Sequence, residues 1–420
     1  MTTLRQETIV DWRHKGFPVT DNMSPDFIAE QNWNLLSGDL CLPVLVLKET
    51  AMNHNLDVVH GYCKERGFSI APHGKTTMSP EIISRQFEAG SWAITAATVS
   101  QAKIFRQFGS PRILIASEVV EPSSLSWISE QLNDPNFEIF CLVDSALGVE
   151  IMDDVLSKTP KSSPLKVLLE LGIPNGRTGC RDKEQISSTV AAVLRSNHLT
   201  LAGVEAFEGV IHYDPDGVKQ VDSFLEQVFE TAQILEQQGH FSNVPEVILS
   251  AGGSAFPDRV AAKFSASWTG QTPIRIVLRS GCYITHDHGL YSRASPFGSR
   301  LQTKALKPAL EIWGAVISRP ERNLALLNFG KRDVAYDIDL PTGLWIKRLG
   351  NNKLESAGGL TIFDLNDQHA FVRLDSNTDL NVGDFVGAGI SHPCTAFDKW
   401  RMIPIVDDNY NVISVVSTYF

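Results

Sequence analysis

SIAPHGKTTMSP, residues 69–80, reads as the end of an apolar strand, a loop carrying Lys75, and the start of a helix. Ser79 is a natural N-cap and Pro80 suits the first helical turn. A lysine just beyond the C-terminal end of a strand lies where a β/α barrel does its chemistry. Schiff-base chemistry needs such an amine held in a pocket and partly deprotonated. Taken alone, the stretch equally describes a surface lysine in a strand-to-helix loop, so its surroundings must decide.

Outward from it, short β-branched runs alternate with helical periods. The strands in order are SIAPH, SWAIT, RILIA, FEIFCLV, LKVLLEL, LAGVEAF, PEVILSA and IRIVLRS, between residues 69 and 280. Helical patterns such as SPEIISRQFEAG, SLSWISEQLN and VKQVDSFLEQVFETAQILEQQ separate them, the last with Val221, Phe224, Leu225 and Val228 on one face. Eight strands in this register is the count of a closed (β/α)8 barrel; an open doubly wound sheet is the alternative. After about residue 294 the texture changes to strand-like runs, ALEIWGAVISR, NLALLNFG, AFVRL, DFVGAGI and NVISVVSTYF, with turn signals between them. The expected organisation is an N-terminal extension over residues 1–48, a barrel over 49–293 and a C-terminal β domain over 294–420. LPVLVLK, ending at Lys48, is left over from the barrel count and is assigned to the β domain.

The bulk numbers agree with a soluble two-domain enzyme: 420 residues, 43% hydrophobic and 20% charged. A net charge of -11 argues against a nucleic-acid surface. The opening MTTLRQETIVDWRHKGFPVT has scattered charges and no apolar core segment, so no secretory leader is expected. No apolar run approaches the roughly 18 residues of a membrane span. Six widely spaced cysteines without a CxxC pair suit reduced thiols and a cytoplasmic setting.

Two later loops suit an anion. In SAGGSAFP, Gly252 and Gly253 let backbone amides turn inward and Ser254 adds a hydroxyl. In RSGCY, Gly281 and Cys282 offer amides and Tyr283 a phenol. They follow the seventh and eighth strands, where barrels often bind phosphate. Plain turns are the competing reading.

PHGKT after a strand resembles the lysine motif of fold-type III pyridoxal-phosphate enzymes. Within that group the chain, over roughly residues 40 to 420, is most similar to the D-serine dehydratase and D-threonine aldolase family, which includes bacterial amino-acid deaminase-like proteins. The resemblance implies an alanine-racemase-like barrel followed by a β domain, pyridoxal 5'-phosphate on Lys75 with His73 beside it, phosphate binding by the two loops above, and a homodimer. LELGIPNGRTG resembles the family's E-x-D-x-G-x-x-RTG signature, with Gly172 in place of Asp and Pro174 in place of Gly. A fixed guanidinium at Arg177 would stabilise the cofactor's phenolate oxygen. In AFEGVIHY, His212 and Tyr213 are candidate proton-transfer groups, or ordinary loop residues. Tyr213 falls where the dehydratase branch tends to carry tyrosine and the aldolase branch histidine.

In AGISHPCTAFDKW, His392 and Cys394 stand two apart, which in extended chain puts both on one face. Imidazole plus thiolate suits zinc, and two protein ligands leave positions open for water and substrate. A buried cysteine beside a structural histidine is the bland reading. The resemblance implies zinc ligands here, His and Cys in the dehydratase branch, usually His and Asp in the aldolase branch. THDHG, with His286 and His288, is a rival pair. The expected activity is that of a pyridoxal-phosphate- and zinc-dependent lyase eliminating water from D-β-hydroxy amino acids. Alternatives are retro-aldol cleavage, a pyridoxal-phosphate carrier without turnover and, more distantly, a barrel metal-hydrolase.

Overall fold

The computed structural model describes residues 9–161 and 163–420; the first eight residues, part of the stretch read as lacking a leader, lie outside the described residues. Strand β1 (Val44–Lys48) is followed by β2 (Ser69–Ile70), β3 (Ile94–Ala96), β4 (Arg112–Glu118), β5 (Glu138–Val143), β6 (Leu165–Leu171), β7 (Leu199–Ala206), β8 (Val247–Ala251) and β9 (Ile274–Leu278). Strands β2 to β9 pair in parallel in the order β2-β9-β8-β7-β6-β5-β4-β3. The two ends meet at the lysine loop. There Trp92 N donates to Ile70 O and Thr95 N to Pro72 O, each at 2.8 Å, and His73 bridges Thr95 in parallel. The sheet therefore closes into the barrel, and the open doubly wound alternative is gone.

Side-chain alternation then builds the mouth. Ala71, Ala93, Leu114, Leu168 and Val277 belong to an apolar cluster inside the barrel. Because strand side chains repeat every two residues, the next inward positions along these strands are His73, Thr95, Glu170 and Arg279. Glu118 lies four residues after Leu114, and Glu205 is in register with Glu170. The barrel is thus oily below and ionisable at its C-terminal rim.

Strands β10 (Leu310–Glu321), β11 (Leu324–Leu327), β12 (Thr342–Lys347), β13 (Leu354–Ser356), β14 (Leu360–Leu365), β15 (Ala370–Leu374), β16 (Phe385–Gly389), β17 (Met402–Val406) and β18 (Val412–Ser417) form the C-terminal sheet. β1 lies inside that sheet, antiparallel to β10 and parallel to β17. Both its faces are covered: Leu45 and Leu47 join the main core shared with the barrel, Val44 and Val46 a second cluster with Trp313 and Tyr410. LPVLVLK reads as a continuous apolar run because no face of it meets water. From β1 onward the chain thus passes from the β domain into the barrel and returns, so the two parts share one apolar core.

Candidate functional site

Lys75 sits in a short 3-10 turn, Gly74–Thr76, directly after the barrel-closing bridge. Its side chain is exposed, with no hydrogen bond or ion pair to its amine among the described residues. Ser79 does occupy the N-cap of the helix Pro80–Glu88, but its hydroxyl donates to the Glu81 carboxylate at 2.9 Å instead of capping a backbone amide. His73 carries a buried Nδ1 with no partner. Burial pushes its imidazole well below the ordinary histidine range, with Lys75, Arg279 and Arg177 adding to the same effect. It is a neutral ring in a cationic neighbourhood.

The loop after β9 packs onto this turn. A Cβ at Gly281 would run into the backbone oxygen of His73, so only glycine allows the approach. The amides of Gly281 and Cys282 head a short 3-10 turn, Cys282–Ile284, and are not spent in its bonding. At two of the expected contacts the polar groups have partners within the chain, although Tyr283 lines the cavity with Ser254 and Cys282. The amides of Gly252 and Gly253 donate to the buried Glu208 carboxylate, at 3.0 and 2.6 Å. The Tyr283 phenol is bonded by His60 at 2.9 Å and Gln86 at 3.3 Å, on the helix side of the barrel wall. What these loops present together is the hydroxyls of Ser254 and Ser280 beside Cys282 and His286, which line one cavity.

The β domain reaches the same place. Thr76 Oγ1 lies 3.5 Å from Cys282 Sγ and 3.3 Å from Cys394 Sγ, and the two sulfurs are 3.4 Å apart. One residue from Lys75, the lysine turn, the loop after β9 and the HPC motif therefore converge. His392 is held from behind, its Nδ1 2.5 Å from Asp337 Oδ2, while Thr395 donates to Asp337 Oδ1 at 2.7 Å. Hydrogen bonding to Cys394, then to Asp337, lifts the His392 imidazole above its ordinary range. The Cys394 thiol is lowered by its bonds to Cys282 and His392, and the Cys282 thiol is raised in turn. Asp287 fixes the backbone beneath: Oδ1 accepts from Gly289, Tyr291 and Ser292 amides, and Oδ2 from the His392 amide at 3.0 Å.

Comparison with known proteins agrees with the fold. Residues 309–406 match the family described as "Putative serine dehydratase domain". The chain is 26% identical over 310 residues, 72% of this chain and 76% of the relative, to the 3-hydroxy-D-aspartate aldolase of Paracoccus denitrificans (strain Pd 1222). Among solved structures it is similar to D-threonine aldolase from Filomicrobium marinum, with TM-score 0.72 and 19% identity over 92% of this chain and 97% of that one. It is likewise similar to D-threo-3-hydroxyaspartate dehydratase from Delftia sp. HT23, with TM-score 0.70 and 16% identity over 92% and 99%. An alanine-racemase-like protein from Idiomarina loihiensis superposes with TM-score 0.68 and 16% identity over 94% and 99%. The chain has the alanine-racemase-like fold.

Pyridoxal phosphate is the cofactor expected from the PHGKT resemblance, and the residues of this alanine-racemase-like chain fit it. The lysine amine is unpartnered, His73 Nδ1 and Arg279 Nε are buried without partners at the mouth, the Gly281 turn offers spare amides, and Ser254 lines the adjoining cavity, while the Ser280 hydroxyl is bonded to the Gly253 carbonyl. Arg177 is exposed over the mouth, its guanidinium 4.6 Å from the Phe207 ring. The departure at Gly172 has a cause. A Cβ at residue 172 would collide with the Arg181 guanidinium, which fills the space a side chain would take. Arg181 donates to the carbonyls of Arg177, Thr178 (2.8 Å) and Gly179, and thereby holds the loop in one shape.

His212 and Tyr213 are not brought into the cluster. His212 is exposed, and Tyr213, 45% exposed, packs on Phe256 with Arg300 over its ring. Of the rival pair, His286 is buried in the cavity wall, and His288 packs against Gly389 with its pKa lowered by burial to about 4. The reading from sequence missed Arg279, which is buried and paired with Glu205 and the Ala206 carbonyl, and it missed Glu118, Glu170, Asp287 and Asp337. Arg279 and Asp287 stood in quoted motifs, RSGCY and THDHG; strand periodicity carried through to the rim would have found the glutamates.

For a metal, the donor chemistry at His392 and Cys394 fits a divalent cation, with Asp337 as the carboxylate that orients the imidazole. Among the described residues no group of three His, Cys, Asp or Glu is arranged as a ligand set. A cation held by His392 and Cys394 would take its remaining positions from water or substrate.

Proposed function

We propose that this protein is a pyridoxal-phosphate-dependent lyase acting on D-3-hydroxy amino acids, eliminating water to give a keto acid and ammonia. The single observation that carries the reading is the convergence of Lys75, through Thr76, with Cys394 beside His392. Such a site needs an amine at the substrate's Cα and a group for its β-oxygen, and here the barrel supplies one and the β domain the other.

Bound pyridoxal phosphate would supply an electron sink for the pair left at Cα. Lys75 would hold it, and its amine is the group that would take the Cα proton onto Nζ. Arg279, kept in place by Glu205, presents a permanent positive charge at the barrel rim. Arg177, on its clamped loop, faces the same opening. A divalent cation held by His392 and Cys394 would supply Lewis acidity toward an oxygen leaving group. Asp337 keeps a proton on His392 Nδ1 and so leaves Nε2 as the ligating atom.

A cysteine in the pair supports elimination: the D-threo-3-hydroxyaspartate dehydratase has been solved with a histidine and, two positions on, a cysteine each replaced by alanine, the latter in a metal-free form. The second reading, retro-aldol cleavage, is favoured by the curated relative in Paracoccus denitrificans. Products separate them. Purified protein given 3-hydroxy-D-aspartate or D-serine should release a keto acid and ammonia, and Lys75→Ala should release neither. Glycine and an aldehyde would establish the aldolase reaction instead, and no turnover of any D-3-hydroxy amino acid would overturn both.

A further inference from the structure

We propose that Cys282 and Cys394 are a reversible oxidation site, closing a disulfide that ties the barrel to the β domain across the active centre. The two sulfurs are 3.4 Å apart and belong to residues 112 positions apart in sequence. A disulfide requires S–S of about 2.05 Å, so the sulfurs need to approach by only about 1.4 Å. Their surroundings steer them together. Thr76 Oγ1 touches both, and each cysteine opens a short helical turn, Cys282–Ile284 and Cys394–Phe397, whose backbone is fixed by local bonding. The other four cysteines have no such neighbour among the described residues; Cys63, Cys141 and Cys180 are buried singly and Cys41 is exposed.

The oxidant is hydrogen peroxide. Cys394, the more accessible of the two, attacks one peroxide oxygen through sulfur; the O–O bond breaks, water leaves and a sulfenic acid remains. The Cys282 sulfur then attacks the Cys394 sulfur and expels a second water. In sum two S–H bonds and one O–O bond break, one S–S and two O–H bonds form, and two electrons pass from sulfur to peroxide. The buried Cys282 is placed to intercept the sulfenic acid before further oxidation. A closed bridge removes the Cys394 thiol from His392 and pins the turn next to Lys75.

The loss of activity rests on the proposed lyase reading; the cross-link itself does not, and the test reads the two separately. Reduced protein, with and without prior chelator treatment, is titrated with hydrogen peroxide, digested without reductant and mapped by mass spectrometry, while free thiols and turnover are followed. The expected result is loss of two of the six thiols and a peptide joining Cys282 to Cys394. Activity should fall about tenfold or more and return with dithiothreitol, as a reversible disulfide requires. Cross-linking should be faster in the chelated sample. Cys282→Ser should give no cross-link and let Cys394 proceed to sulfinic acid, which dithiothreitol does not restore. Irreversible oxidation of Cys394 in the parent protein, with no linked peptide at any peroxide dose, would overturn the proposal whatever the enzyme's activity. A linked peptide in protein that turns over no substrate would instead count only against the lyase reading.

Discussion

Glu118 ends β4 at the barrel rim with one carboxyl oxygen buried and without a partner, and Glu170 faces it. Burial, then the contact with Glu170, raises the Glu118 pKa above its ordinary 4.5. Above that pH the unfolded chain gives up this proton while the folded chain keeps it. Folded stability from this group is therefore intact below pH 4.5 and declines as pH rises toward the raised folded pKa. Glu118→Gln keeps a donor toward Glu170 and does not titrate. Urea unfolding should show the variant about as stable as the parent at pH 4 and more stable at pH 8, by about 1–2 kcal/mol after screening at this half-buried site. Equal stabilities at both values would mean that the two carboxyls share no proton. Such rim residues were hard to read from sequence because an isolated Glu in RILIASE or LKVLLEL resembles a strand end turning to water. Only barrel closure makes that end an interior.

At the scale of an element, the loop from Gly172 to Gly179 shows why a motif can depart from its usual letters and keep its shape. Arg181 replaces a side chain at residue 172 as the loop's internal support, by bonding three successive carbonyls. Arg181→Ala should leave the barrel folded and release Arg177 from its place. Titration with pyridoxal phosphate should then show about tenfold weaker binding, equivalent to about 1.4 kcal/mol, and Arg181→Lys should not rescue it because an ammonium is a single point and cannot span the fork. Unchanged affinity would make the clamp structural only. The eight barrel strands were legible for the opposite reason: each is a short apolar run bounded by a helix signal. In the β domain, TGLWIK, LTIFDL and MIPIV escaped notice. The first two are half exposed, with mixed patterns, and the third carries Pro404, which argues against a strand even though β17 accommodates it.

Across the whole molecule, the candidate site exists because the chain passes from the β domain into the barrel and back. Asp287 is the joint, a fully buried carboxylate that takes three amides on the barrel side and the His392 amide on the other. Asp287→Ala should lower stability by about 3 kcal/mol, the cost of leaving buried donors unpaired. It should also reduce zinc retained after dialysis, measured by elemental analysis; native metal content would show that His392 is held without it. The residues on each side of this joint were found in sequence, but their contact was not, because nothing in PHGKT or HPC encodes a distance across 318 positions. His212 and Tyr213 were selected by loop position and side-chain chemistry, Tyr213 also by the family resemblance, and they lie apart from the cluster.

The central claim is that the barrel's lysine and the β domain's histidine–cysteine pair act on one substrate. The most direct test strips metal with a chelator and follows, on the same preparation, cofactor absorbance and keto-acid release from 3-hydroxy-D-aspartate. The account predicts unchanged absorbance with turnover lost, since a cation at a departing oxygen contributes several kcal/mol to elimination and nothing to cofactor attachment; Cys394→Ala should behave alike. Full keto-acid release from metal-free protein, or native rates in Cys394→Ala, would contradict it.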